Sequence, residues 1–154
     1  MTFSSEAALK AAILGACRDA VAEVADRVHE ELYYALNQYY GEFTPAEYIR
    51  TGALMGSLKN TGVISSGNGA RARVYFETPG YATGRIAVKS TPITGYMGWA
   101  SWGGEQVLNT AMGGSHGGYA PGTPIWDSAM GNLGGEGNIE NLLLAALKAR
   151  LPIG

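Results

Sequence analysis

"YIRTGALMGSLKNTGVISSGNGARARVYFET", residues 48–78, is where the periodicity of the chain changes. Upstream of it, apolar residues recur every three or four positions. From Asn60 they alternate in twos. "TGVISS" and "ARARVYFET" flank "GNG", whose Gly and Asn residues suit the tight turn of a hairpin. In the second run Ala70, Ala72, Val74 and Phe76 share one face, and Arg71, Arg73, Tyr75 and Glu77 share the other. That alternation predicts a half-buried antiparallel sheet.

The upstream run predicts one long helix over 5–41. Leu9, Ile13, Ala16, Ala20, Val24, Val28, Leu32 and Leu36 keep helical spacing throughout. Ser4 or Ser5 can cap its start, with Glu6 favourably placed for the helix dipole. Gly41 and Pro45 mark its end. Some 36 residues at 1.5 Å each make about 54 Å of helix, long for a chain of 154 residues. Ala7, Ala8, Ala11, Ala12 and Ala16 keep one end narrow, which suits close contact with neighbouring copies. Near the other end, Tyr33, Tyr34, Tyr39 and Tyr40 cannot all enter one small core. Each pairs a large apolar body with a polar rim, so they are candidate contacts to partners.

Downstream, "RIAVK" and "YMGWASW" read as short strands, "EQVLNTAM" as two helical turns, and the region of Trp126–Met130 as a short helix. Residues 138–151 predict an amphipathic helix capped by Asn138 and ended by Pro152. The expected fold is α+β. A long N-terminal helix packs on a small antiparallel sheet, followed by glycine-rich loops and a C-terminal helix. No repeat or second core is visible, so one domain over 1–154 is expected: helix 5–41, sheet and loops 48–130, and helix 138–151.

Composition narrows the function classes. Eleven basic and 13 acidic residues, without a block of either sign, give a net charge of -2. No basic face for nucleic acid and no polybasic membrane patch is expected. Charged residues make up only 16% of the chain, against roughly 25% in ordinary soluble domains. Such a surface suits contact with other protein. Glycine, 23 residues, is concentrated between Gly52 and Gly137. Cys17 is the single cysteine, so no internal disulfide forms. The N-terminus lacks a basic start followed by an apolar block, so no signal peptide is expected.

Catalytic patterns are largely missing. His29 stands beside Glu30 and Glu31 on the helix and is expected to be solvated. His116, in "GGSHGGY", lies among glycines that let a backbone approach closely. It lacks a second histidine or cysteine nearby for a metal. Ser115 or Ser101 with His116 and Asp127 makes a poor triad, since adjacent Ser and His cannot form the nucleophile–base pair in a normal geometry. "GNGAR" and "GGSHGG" lack the ending of a phosphate-binding loop. Trp99, Trp102, Tyr119 and Trp126 could stack on a sugar or a base, but covering the sheet or a subunit contact suits them better. No enzyme, cofactor or metal is expected.

The motif order resembles the gene-ten-like tail-component family of long-tailed bacteriophages, whose members include neck, tail-completion and minor capsid proteins. The family pattern has a tyrosine or proline, then threonine-glycine, a leucine and a serine. Tyr48, Arg50, Thr51, Gly52, Leu54, Ser57 and Leu58 match it. "HGGYAPGTPIWDSAM", residues 116–130, is similar to the family's glycine-rich turn and aromatic before a helix. The resemblance covers roughly 1–130, and residues 79–118 depart from it as an insertion. It implies a virion protein at the top of the tail, made in the host cytoplasm. Such a subunit forms a homo-oligomeric ring that completes the tail and meets the connector, tail terminator, and tube or sheath proteins. A tail terminator or head-closure protein of the same neck is the neighbouring possibility. A glycan- or cell-surface-binding module is a more distant one. Tyr33, Tyr34, Tyr39, Tyr40, Trp99, Trp102, His116, Tyr119 and Trp126 are the candidate subunit or partner contacts.

Within 48–58, Gly52 permits a backbone angle that other residues resist, and Leu54 and Leu58 point toward the core. Arg50 can hold carbonyls or a carboxylate in a fork, and the Thr51 hydroxyl can cap a helical turn.

Overall fold

A computed structural model describes residues 3–44, 52–77, 84–88, 98–102, 104–116, 120–135 and 137–151, with 84–88 and 98–102 described by their backbone alone. The architecture is α+β, with a long N-terminal helix packed on a small antiparallel sheet and further helices toward the C-terminus. Helix α1 spans Glu6–Glu42, within a residue of the expected 5–41. The Ser5 hydroxyl accepts the Ala8 amide at 3.1 Å, so Ser5 is the cap. Contacts divide the chain into two compact units. Unit 1 comprises Met1–Glu31, Lys59–Tyr75 and Ala129–Gly154; unit 2 comprises Leu32–Leu58 and Phe76–Ser128.

In unit 1 the hairpin predicted around "GNG" is present. Strands β1 (Leu58–Asn60) and β4 (Val74–Phe76) form one ladder, and β2 (Ile64–Ser66) and β3 (Gly69–Arg71) form the next. Exposure alternates as expected from residue 70 to 77: the Ala70, Ala72, Val74, Phe76 side is half-buried and the Arg71, Arg73, Tyr75, Glu77 side is exposed. One feature was not foreseen. The Thr61 amide bonds the Arg73 carbonyl, while Ile64 faces Arg71, so Gly62 and Val63 together oppose Ala72 alone. This is a bulge, and Gly62 takes the left-handed conformation it requires, φ 65°. The Asn60 side chain accepts the Gly62 amide, and the Thr61 hydroxyl accepts the Arg73 amide. Both bonds replace those lost from the ladder.

Helix α5 (Asn138–Arg150) covers α1 in unit 1. Ala20, Val24 and Ala146 are buried, with Val28, Ile139, Leu142, Leu143 and Leu147 packed around them. Alanine on both helices lets them approach closely. Val21, Val24, Ala25 and Val28 of α1, Ala72 and Val74 of the hairpin, and Ile139 and Leu143 of α5 line an apolar groove of about 230 Å³. Arg150 pairs with Glu23 at 2.5 Å, and Asn60 donates to Asp26 at 2.9 Å. Asn138 is not the cap it was expected to be. Gly137 holds that position, and Asn138 Nδ2 instead reaches back to the Leu133 carbonyl at 2.5 Å. The reason is local: Gly134 (φ 88°) closes the preceding helix, with Gly135 N–H on the Met130 carbonyl and Gly134 N–H on Gly131. That turn brings the Leu133 carbonyl within reach.

The apolar stripe of α1 outruns its cover. Ala16 is buried, but Leu9 and Ile13 are each 40% exposed and Phe3 is 39%. Of the alanines expected to face a neighbour, Ala7, Ala11 and Ala12 are exposed, Ala8 is half-buried and Ala16 is enclosed in unit 1.

In unit 2, Leu32, Ala35, Leu36 and Tyr39 of α1 are buried, as are Leu54, Ser57, Leu58, Ala111 and Ile125. Helix α2 (Ala53–Ser57) begins at Gly52, φ 71°, and packs on α3 (Gly104–Met112). Leu54 and Leu58 turn inward as expected, and Ser57 Oγ donates to the Leu54 carbonyl at 2.7 Å. Thr51, the other expected cap, lies outside the described residues with Tyr48 and Arg50. Strands β5 (Gly84–Val88) and β6 (Gly98–Trp102) pair antiparallel, with Gly84 opposite Trp102 and Val88 opposite Gly98. Helix α4 (Ile125–Asn132) contains the segment expected near Trp126–Met130.

Candidate functional site

The most specific polar arrangement lies in unit 2, where the last turn of α1 meets the segment after α3. A carboxylate at a helix C-terminus faces the negative end of the dipole, and α1 has no basic residue in its last turn. Glu42 occupies that unfavourable place, so its charge must be met from elsewhere. Thr123 meets it: the amide donates to Oε2 at 2.8 Å, and the hydroxyl donates to Oε1. His116 Nε2 stands 3.7 Å from Oε2. The two Thr123 bonds, aided by the nearby imidazole, hold the Glu42 carboxyl below its ordinary pKa near 4.5, outweighing the opposing effect of burial.

The fold delivers His116 through glycine. Helix α3 ends at Met112, and Gly114 (φ 69°) reverses the chain, with Gly114 N–H on the Ala111 carbonyl and Ser115 N–H on the Thr110 carbonyl. The chain then folds back: His116 N–H reaches the Ala120 carbonyl, and Gly122 N–H reaches the Gly114 carbonyl. A Cβ at Gly122 would lie 2.7 Å from His116 Nε2 and 3.2 Å from Glu42 Oε2, so only glycine fits there. The close approach expected of these glycines is therefore to the histidine itself.

His116 is 3% exposed. Its ring stacks on Tyr39 at 4.2 Å between centroids and tilts against Phe43 at 5.1 Å. Tyr39 is 8% exposed, and its hydroxyl donates to the Ser115 carbonyl at 2.6 Å. Expecting His116 and Tyr39 at a partner contact is thus corrected: both sit inside unit 2, because their flat rings pack on each other. Tyr40 is half-buried, edge-on to Tyr39 at 6.1 Å. Tyr33, Tyr34 and Trp126 do reach the surface, at 48%, 54% and 40%. Gln38 links their helices, donating to the Tyr34 hydroxyl and accepting from Ser128 of α4. Trp99 and Trp102 lie on β6 with only their backbone described, and Tyr119 lies outside the described residues.

Sequence reasoning passed over Glu42 and Thr123. A signal existed in the acid placed at the wrong end of a helix. Among the described residues, no three His, Cys, Asp or Glu side chains gather as metal ligands, and no helix is long and apolar enough to cross a membrane. His29 is half-buried on α1. The arrangement around Glu42 is a clasp: it ties the end of α1 to the segment leading into α4. Comparison with known protein families, curated proteins and solved structures finds no match for this chain.

Proposed function

We infer that this chain is a structural subunit of a bacteriophage neck, a ring-forming tail-completion protein that joins the tail to the head–tail connector. In this reading it works by assembly and not by catalysis, at the top of the tail. It binds copies of itself and the adjoining connector, tail terminator, and tube or sheath proteins. The observation that carries the reading is the exposed aromatic and aliphatic surface: Tyr33, Tyr34 and Trp126 in unit 2, Leu9 and Ile13 on α1, and Phe3 just before it. Large apolar side chains at an otherwise polar surface are the anchors of protein contacts. The behaviour of the 52–58 segment adds support. Gly52 opens a short helix in the left-handed conformation, while Leu54 and Leu58 are buried, which suits a motif that sets geometry.

The test is to locate the chain in particles. Image reconstruction of the phage that encodes it is expected to show a ring of this subunit between connector and tail tube. Particles that lack the chain, or that carry it away from the neck, would sink the reading.

A further inference from the structure

Unit 1 carries two exposed faces of opposite charge. On the hairpin, Arg71, Arg73 and Tyr75 point away from the half-buried Ala72 and Val74. The backbone bonds Glu77 to Ser57 and Thr61 to Arg73 set Lys59 directly across from Tyr75, on the same side. Ile64 faces Arg71 and is 48% exposed, and Tyr75 is 38% exposed. Three cations thus surround an aliphatic and an aromatic side chain. None of the three makes an ion pair among the described residues.

Helix α1 supplies the complement. Asp19, Glu23, Asp26 and Glu30 are all exposed and fall at spacings of four, three and four, which forms one stripe. Glu23 is engaged by Arg150, and Asp26 by Asn60. Asp19 and Glu30, at the two ends, have no ion pair among the described residues. The stripe runs about 16 Å at 1.5 Å per residue. The hairpin face from Tyr75 to Arg71 runs about 13 Å at roughly 3.3 Å per residue. The two are similar in length and opposite in net sign, with Glu77 continuing the hairpin face and Arg27 flanking the stripe beside Glu23 and Glu30.

We propose that the hairpin face of one copy docks on the acidic α1 stripe of a second copy. The contact is heterologous, since two different faces meet, and each docked pair leaves one face of each kind free for the next copy. Charge sets register and approach, while Tyr75 and Ile64 provide the apolar centre. A nucleic acid is the poorer occupant of the cationic face, because the acidic stripe and the net charge of -2 repel a polyanion. The proposal rests on the self-assembly reading above and adds to it the surfaces that meet.

Sedimentation velocity on the full chain tests it through charge exchange. The wild type is expected to self-associate at low salt, and to do so less as salt rises. Arg71→Glu with Arg73→Glu, and separately Asp19→Lys with Glu30→Lys, are each expected to weaken association by about tenfold or more. All four positions are on the surface, and circular dichroism verifies folding. An equimolar mixture of the two variants is expected to associate again with the copies alternating, because each variant's hairpin face is opposite in charge to the other variant's stripe. The chain carrying all four substitutions is expected to self-associate again. A mixture that stays monomeric, or reversed variants that associate like wild type, would overturn the proposal. So would an oligonucleotide that binds wild type but not the arginine variant while self-association is untouched, which would make the face a nucleic-acid surface. Wild type that assembles regardless of reversal removes these faces and leaves the neck reading standing. A wild-type chain monomeric at every salt and concentration removes this contact, and the neck reading then answers to the particle reconstruction alone.

Discussion

The carboxylate of Glu42 takes both the amide and the hydroxyl of Thr123, joining residues 81 positions apart in the chain. It closes α1 with donors from another part of unit 2, where the helix itself offers the wrong polarity.

This clasp predicts a pH dependence with a definite sign. The folded carboxyl titrates below its ordinary value near 4.5, so its contribution is fully present above that pH. It is lost as pH falls through the lower, folded-state value. Thr123→Val removes the hydroxyl donor and is expected to raise the Glu42 pKa, with a stability loss of about 1 kcal/mol at neutral pH. Carbon-detected NMR titration of the carboxyl and urea unfolding at neutral and acid pH measure both. An unchanged Glu42 titration in the variant would show that Thr123 does not hold it.

Two glycines of nearly equal φ are expected to differ sharply. At Gly52 (φ 71°) an added Cβ meets nothing within 4 Å, so Gly52→Ala costs only backbone strain, about 1 kcal/mol. At Gly114 (φ 69°) the same atom would lie 2.6 Å from the Gly122 carbonyl oxygen and 2.7 Å from Pro124 Cδ. Gly114→Ala is expected to cost about 3 kcal/mol or more and to disturb the His116–Tyr39 stack. Equal losses in chemical denaturation would contradict this placement of the chain after α3.

Stability and assembly are expected to separate on α1. Leu36 is fully buried, and Leu36→Ala should cost about 3 kcal/mol through lost contact and the cavity left behind. Tyr34 is 54% exposed, and Tyr34→Ala should change stability by no more than about 0.5 kcal/mol. On the proposed neck function, the Tyr34 variant is nevertheless expected to yield fewer joined particles in a phage complementation assay. Full yield would remove Tyr34 from the contact surface.

Asn138 offers a test of local chemistry. Asn138→Ala leaves the Leu133 carbonyl without its side-chain donor and is expected to cost about 1 kcal/mol. Asn138→Asp keeps the shape and cap preference but loses the donor, so it should fare no better. An aspartate variant as stable as wild type would restore the role of cap to this position.

Much of the architecture was legible because it rests on local periodicity. Burial along α1 follows the three-and-four spacing from Ala16 through Ala20, Val24, Leu32 and Leu36. Exposure alternates from Ala70 to Glu77 because neighbouring side chains of an extended strand point to opposite faces. Gly52, Leu54 and Leu58 were readable for the same kind of reason, a glycine preceding apolar residues at helical spacing. The bulge at Gly62 was less so: it appears only when the two ladders of the hairpin are laid side by side.

The candidate site was hidden by distance along the chain. His116 was noticed for its glycines, yet nothing near it names Tyr39, which its ring covers 77 positions away. Glu42 and Thr123 are each unremarked polar residues until the fold sets them in hydrogen-bond contact. The sequence by itself determined the helices, the hairpin and the sign of each face, because periodicity and residue type act over a few neighbouring positions. Only the tertiary structure decided which aromatics are enclosed and which remain open. Tyr39 and Tyr34 share one helix and one chemistry, and only the segment that returns against Tyr39 distinguishes them.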